Sequence, residues 1–204
     1  MLFDDSYRTI ASPTEGIFKD RGSKFYAFAF PIHSETDPKP LLAALREQHP
    51  KAAHHCYAYR LGLDRNQYRA NDDGEPSGSA GRPILNTLYS RDLTNVLLVV
   101  VRYFGGTLLG VPGLINAYKT ASELALDAAV VLTKYVCDEY EITFPYEATS
   151  EVNRVIKTYD LEVTEQRFEM ECTFKVLVRK TLLNRVVGAF EDVEGVRARW
   201  LGTT

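Results

Sequence analysis

Between residues 23 and 33 the chain alternates. In Lys24-Phe25-Tyr26-Ala27-Phe28-Ala29-Phe30 aromatic residues recur with near period two, the pattern of a strand. Segments 7–11 and 14–20 are also rich in aromatic and β-branched residues and predict extended chain, with Gly22 marking a turn. Thr36-Asp37-Pro38 then offers a helix start, with a capping side chain and a proline in the first turn; Leu41, Leu42 and Leu45 follow at helical spacing, and Pro50 ends the helix. His54 to Leu61 predicts a strand with His54, Cys56 and Ala58 on one face and His55, Tyr57 and Tyr59 on the other. A strand-poor segment follows, and Arg82 to Tyr89 predicts a short helix. The run Val96 to Val101 is apolar throughout, as expected of a strand buried on both faces. From Pro112 to Leu132, Ile115, Tyr118, Ala121, Leu124 and Ala128 recur at spacings of three and four, which predicts a long helix.

The last 70 residues change character. They predict strand 137–144, helix 147–158, strands 161–168 and 170–178, helix 180–190 and strand 195–201, the β-α-β-β-α-β order of a ferredoxin-like split unit. The pattern therefore predicts an α+β protein of two domains, residues 1–134 and 135–204.

Composition narrows the function. The 204 residues are 45% apolar and 25% charged, the balance of a globular protein rather than a disordered one. The longest apolar run is far shorter than the roughly 20 residues a spanning helix needs, so no membrane partner is expected. The opening MLFDDSYRTI is acidic where a leader would be basic and then apolar, and a cytoplasmic location is expected. Cys56, Cys137 and Cys172 are odd in number and far apart, which suggests neither a disulfide framework nor a zinc site. The net charge of −3 lacks the strongly basic balance of a general nucleic-acid binder, but residues 135–204 hold 9 basic and 13 acidic side chains, so an anion-binding surface belongs to the first domain.

Three constellations carry candidate chemistry. Seven of the thirteen glycines lie between Gly74 and Gly113, where backbone shapes or close approaches that exclude a Cβ are expected. Arg102-Tyr103-Phe104-Gly105-Gly106 follows the buried strand and precedes the long helix. Such a strand–loop–helix junction can bind an anion with free N–H groups, yet the segment matches neither a Walker A loop nor Gly-x-Gly-x-x-Gly. The loop Asp72-Asp73-Gly74-Glu75-Pro76-Ser77 offers carboxylates for a cation or for acid–base work, although turn chemistry alone explains Asp-Asp-Gly. The calcium-loop pattern fails, because centring it on Gly74 puts Arg69 first and Ala80 twelfth. His54 and His55 are neighbours on a strand and face opposite ways, so they cannot jointly hold one metal.

Taken in order, Gly22-Ser23-Lys24-Phe25, His54-His55-Cys56-Tyr57-Ala58-Tyr59-Arg60, Asp72-Asp73-Gly74-Glu75-Pro76-Ser77-Gly78, Ala80-Gly81-Arg82-Pro83 and Val100-Val101-Arg102-Tyr103-Phe104-Gly105-Gly106 resemble the signature blocks of the IMPACT family. The resemblance spans about residues 19–126. It implies a first domain similar to domain 2 of ribosomal protein S5 and a second similar to the ferredoxin-like domains of elongation factor G. Eukaryotic relatives regulate translation with an extra domain, which is not expected here. Three positions depart from the family pattern: Pro112 stands where a glycine is usual, Leu108 where a lysine is common, and Asn116 where an arginine is. The last two remove positive charge beside the glycine loop.

Two functions compete on these grounds. The first is a non-enzymatic, cytoplasmic, translation-associated regulatory factor that binds RNA or a ribosomal surface, with Arg82, Arg102, Lys119 and the N–H groups of Gly105 and Gly106 contacting phosphate. It needs no cofactor and no metal. The alternative is a metal-assisted hydrolase or transferase acting on a phosphorylated or peptide-like small molecule. It requires Asp72, Asp73 and Glu75 to converge with His54, with Ser77 in the same loop, beside Gly105-Gly106. A protein partner docking on the open sheet face of the second domain would instead require an exposed apolar patch there.

Overall fold

The structure, a computed structural model, describes residues 5–62 and 66–203. The opening residues that argue against a leader lie partly outside this range. The chain forms two compact units, Tyr7–Lys134 and a second built from Tyr135 onward with Asp5 and Ser6.

In the first unit the elements run β1 (Ser6–Ile10), β2 (Thr14–Asp20), β3 (Ser23–Pro31), α1 (Pro38–Gln48), β4 (His54–Leu61), β5 (Gln67–Asn71), α2 (Gly81–Ser90), β6 (Val96–Tyr103), α3 (Gly110–Asp127) and β7 (Val131–Tyr135). Five strands make an antiparallel sheet in the order β2-β3-β6-β4-β5, and β1 pairs separately with β7. On one face Phe25, Ala27, Cys56, Ala58, Leu98 and Val100 pack against Ile84 and Leu88 of α2 and Leu114, Tyr118 and Ala121 of α3. On the other, Tyr57, Tyr59, Val99 and Val101 meet Leu45 of α1, with Leu41 and Leu42 partly buried beside it. Val96 to Val101 are wholly inaccessible. Helices on both faces explain why this central strand shows no alternation even in an antiparallel sheet. At Gly16 the backbone of α3 lies so close that a Cβ would stand 2.5 Å from the Ala125 nitrogen.

Three expectations change. The long helix stops at Asp127, and the β-branched, exposed stretch that follows pairs with β1 instead of continuing it. The segment after β4 contains β5, an edge strand. The Asp37 carboxylate does not cap α1; it accepts the N–H groups of His33 and Ser34, 2.7 and 3.1 Å away, and closes the preceding turn.

The second unit runs β8 (Cys137–Phe144), α4 (Thr149–Thr158), β9 (Glu162–Phe168), β10 (Cys172–Arg179), α5 (Leu183–Glu191) and β11 (Arg197–Thr203). Its sheet has the order β11-β8-β10-β9 with every neighbouring pair antiparallel. In it β10 lies between β8 and β9, the split βαβ arrangement. Ile142, Phe144, Phe174 and Val176 pack on Val152 of α4 and Val186 and Phe190 of α5. The opposite face carries a charged row across all four strands: Arg199 lies opposite Glu141, Glu141 opposite Lys175, and Lys175 opposite Glu165. Arg199 pairs with Glu141 and Lys175 with Glu165. This corrects the expectation of an apolar docking patch there, because period-two alternation puts the charged positions of these strands outward. Among the described residues no helix is long and apolar enough to cross a membrane.

Candidate functional site

The glycine-rich loop before α2 is built by its acidic side chains. The Asp72 carboxylate accepts the N–H groups of Gly78, Ala80 and Gly81 at 2.9, 3.0 and 2.8 Å. Those donors include the first, otherwise orphaned N–H of α2, so Asp72 caps that helix from eight residues upstream of its N-cap. Asp73 takes a left-handed backbone (φ 42°) and turns the other way. Its carboxylate holds Arg46 of α1 at 2.9 Å and accepts the His55 N–H at 2.7 Å, and its carbonyl lies 2.7 Å from His54 Nδ1. Partial burial works to raise the Asp73 carboxyl, but the His55 N–H and the Arg46 guanidinium outweigh it and hold the group below the usual 3.8.

Glu75 points into the protein. Its Oε1 lies 2.6 Å from Arg102 Nη1 and accepts the Tyr118 hydroxyl at 2.7 Å. His54 Nε2 stands 3.8 Å away. Cys56 extends the network, its thiol 3.3 Å from the Tyr118 oxygen and 3.0 Å from the Asp72 carbonyl. Burial, and next the neighbouring Cys56, push the Tyr118 hydroxyl well above its ordinary range; burial likewise raises the Cys56 thiol. Both groups are neutral hydrogen-bonding members of the core, and Cys56 is no nucleophile.

The three carboxylates therefore do not converge. One caps α2, one ties the loop to α1 and β4, and one neutralises a buried arginine. Only Glu75 approaches His54, and Ser77 is exposed on the outer side of the turn. No group of three or more His, Cys, Asp or Glu side chains among the described residues is placed to hold a metal ion. The geometry required of the metal-assisted alternative is absent because each acid already has its own partners.

The loop after β6 departs in part from expectation. A Cβ on Gly105 would stand 2.0 Å from the carbonyl carbon of Gly22, so glycine lets the two turns touch. In that contact the Gly105 N–H donates to the Ser23 hydroxyl at 3.2 Å and is not free for an anion. Gly106 is exposed, with φ 86° and no N–H acceptor among the described residues. Arg102, expected to contact phosphate, faces inward: its side chain is 6% exposed, paired with Glu75 and flanked by the Phe25 and Phe104 rings at 5.5 Å.

Two expected residues do come together. Arg82 on α2 and Lys119 on α3, both exposed, line one groove of about 490 Å³ between the helices, with Gly78, Asn86, Ile115 and Glu123. Lys119 shares its charge with Glu123, 3.8 Å away one helical turn on. Sequence reasoning missed Tyr118, Ser23 and Arg46. Tyr118 lies on the core stripe of α3, and only its hydroxyl, which needs a partner when buried, hinted at more than packing.

A glycine-anchored loop between a five-stranded sheet and the helices on its faces, followed by a split βαβ unit, defines the class of molecule. Residues 21–126 match the Impact N-terminal domain, and the chain belongs to the IMPACT family. It is 40% identical over 145 residues to an IMPACT family member of Thermus thermophilus, covering 70% of this chain and 76% of that protein. An IMPACT family member of Haemophilus influenzae is 32% identical over 157 residues, covering 75% of this chain and 76% of its own. A solved crystal structure of a hypothetical protein superposes on 98% of both chains with a TM-score of 0.70 at 26% identity.

Proposed function

We propose that this IMPACT-family protein is a cytoplasmic, non-enzymatic, translation-associated regulatory factor that engages RNA or a ribosomal surface through its first unit, Tyr7–Lys134. The observation that carries this is the placement of the exposed Arg82 and Lys119 in one open groove, which Gly78 also lines. Two exposed cations from different helices, lining one concave surface, suit the phosphates of a nucleic-acid backbone. The exposed Gly106 N–H is a further donor. The likeness of this unit to domain 2 of ribosomal protein S5, and of residues 135–204 to the ferredoxin-like domains of elongation factor G, belongs to the same proposal; the β-α-β-β-α-β order supports the second half of it.

With Arg102 and the Gly105 N–H committed inside the fold, few phosphate contacts remain, and binding is weak and nonspecific in sequence. Crosslinking in cells, followed by sequencing of the attached RNA, tests the proposal. Recovery of ribosomal or other RNA crosslinked within residues 78–119 is expected; an absence of crosslinked RNA together with no ribosome cosedimentation at low salt overturns it.

A further inference from the structure

On the opposite face of the same sheet, α1 and the β4–β5 hairpin enclose a second groove, and none of the residues discussed as phosphate contacts reaches it. It measures about 440 Å³ and is lined by Lys39 and Arg46 of α1, Arg69 of β5, Tyr57 and Tyr59 of β4, and Glu35. The register explains the set. Arg69 sits directly opposite Tyr59 in the β4–β5 ladder, so it shares the α1-facing side of the sheet. β5 has no strand beyond it, so its side chains border solvent.

The groove is divided in character. Tyr57 and Tyr59 are nearly buried and line its inner side with Leu42 and Ala43, while Lys39 and Arg69 are exposed. Three cations face one carboxylate, Glu35. Arg46 is itself paired with Asp73, but its side chain remains half exposed, at 51%, and a guanidinium has five donors. An arginine fork and an ammonium lining one groove suit a phosphate oxygen set better than a single carboxylate. The volume falls within the roughly 300–1,000 Å³ range of small-molecule sites.

We propose that this groove binds a small phosphate ester carrying a flat ring, of the size of a nucleoside monophosphate. The ring lies over Tyr57 and Tyr59, and the phosphate is held by Lys39 and Arg69 with Arg46 behind them. The site is distinct from the α2–α3 groove and does not depend on RNA binding there.

Calorimetric titration of the full chain with adenosine monophosphate, adenosine and inorganic phosphate tests this. The monophosphate is expected to bind, with the nucleoside and the inorganic ion each at least about tenfold weaker, since charge-assisted hydrogen bonds and ring contact contribute together. Lys39→Ala/Arg69→Ala should lose about tenfold or more in affinity, while Arg82→Ala/Lys119→Ala should bind the monophosphate as the parent does. Both pairs are exposed, so their fold is checked by an unchanged circular dichroism melt. Absence of monophosphate binding at millimolar concentration, equal binding of inorganic phosphate alone, or undiminished binding by the Lys39/Arg69 variant overturns the proposal.

Discussion

Glu75 and Arg102 meet at 2.6 Å inside the first unit, with 4% and 6% of their side chains exposed. Twenty-seven residues apart, they tie the loop before α2 to the end of the central strand. Breaking such a pair leaves one buried charge without compensation, which costs about 3–5 kcal/mol. Glu75→Ala is therefore expected to lower the urea midpoint severely, and Glu75→Gln, which keeps an acceptor for Tyr118, less so. Equal midpoints for parent and Glu75→Ala would show that the pair is not buried.

The Tyr118 hydroxyl sits between the Cys56 thiol and Glu75. Tyr118→Phe removes it with little change in volume and takes one hydrogen bond from each of two buried partners, which keep Arg102 and the Asp72 carbonyl; a loss of about 1–3 kcal/mol in chemical denaturation is expected.

Burial raises the folded Cys56 thiol above its ordinary 9.0. The folded state then keeps a proton that the unfolded chain releases at high pH, so this contribution is complete below the unfolded value and is lost as pH climbs beyond it. Tyr118, raised from 10.0 by burial, acts in the same sense. Stability measured across the alkaline range should fall, and Cys56→Ala/Tyr118→Phe should flatten the decline. An unchanged alkaline slope in that variant would contradict the buried network.

Glycine substitutions should separate sharply by position. Gly105→Ala drives a methyl into the Gly22 backbone, and neither segment can give way; a loss of about 1–3 kcal/mol or more is expected. In α5, a Cβ on Gly188 meets nothing within 4 Å, so Gly188→Ala should gain about 0.4–1 kcal/mol. Thermal melts of the two variants, moving in opposite directions, check both statements.

Elements with strong periodicity were legible in the sequence. The alternation of β3 identifies a strand with one side wholly buried (Phe25, Ala27, Ala29) and the other partly so (Tyr26, Phe28, Phe30), and the unbroken run of β6 identifies a strand buried on both. Gln67–Asn71 was not legible, since an exposed edge strand buries too little to impose a pattern. The end of α3 was overrun because Val131 and Leu132 continue an apolar series whose pairing with β1 depends on residues more than 120 positions away. The candidate site was legible as a set of segments but not as a set of roles. Arg102 looks like a free cation until Glu75 is placed against it, and Asp72 and Asp73 look like a cation site until their N–H and Arg46 partners are seen. Such partners are long-range, and residue type alone does not disclose them.

The central claim is that Arg82 and Lys119 together contact RNA phosphate. The most direct test is the salt dependence of single-stranded RNA binding, measured by fluorescence anisotropy on the parent and on Arg82→Ala/Lys119→Ala. Each phosphate contact contributes a logarithmic slope of about −0.7, so the parent should show roughly −1.4 and the double variant a slope near zero with weaker affinity. Identical slopes and affinities in the two proteins would contradict it.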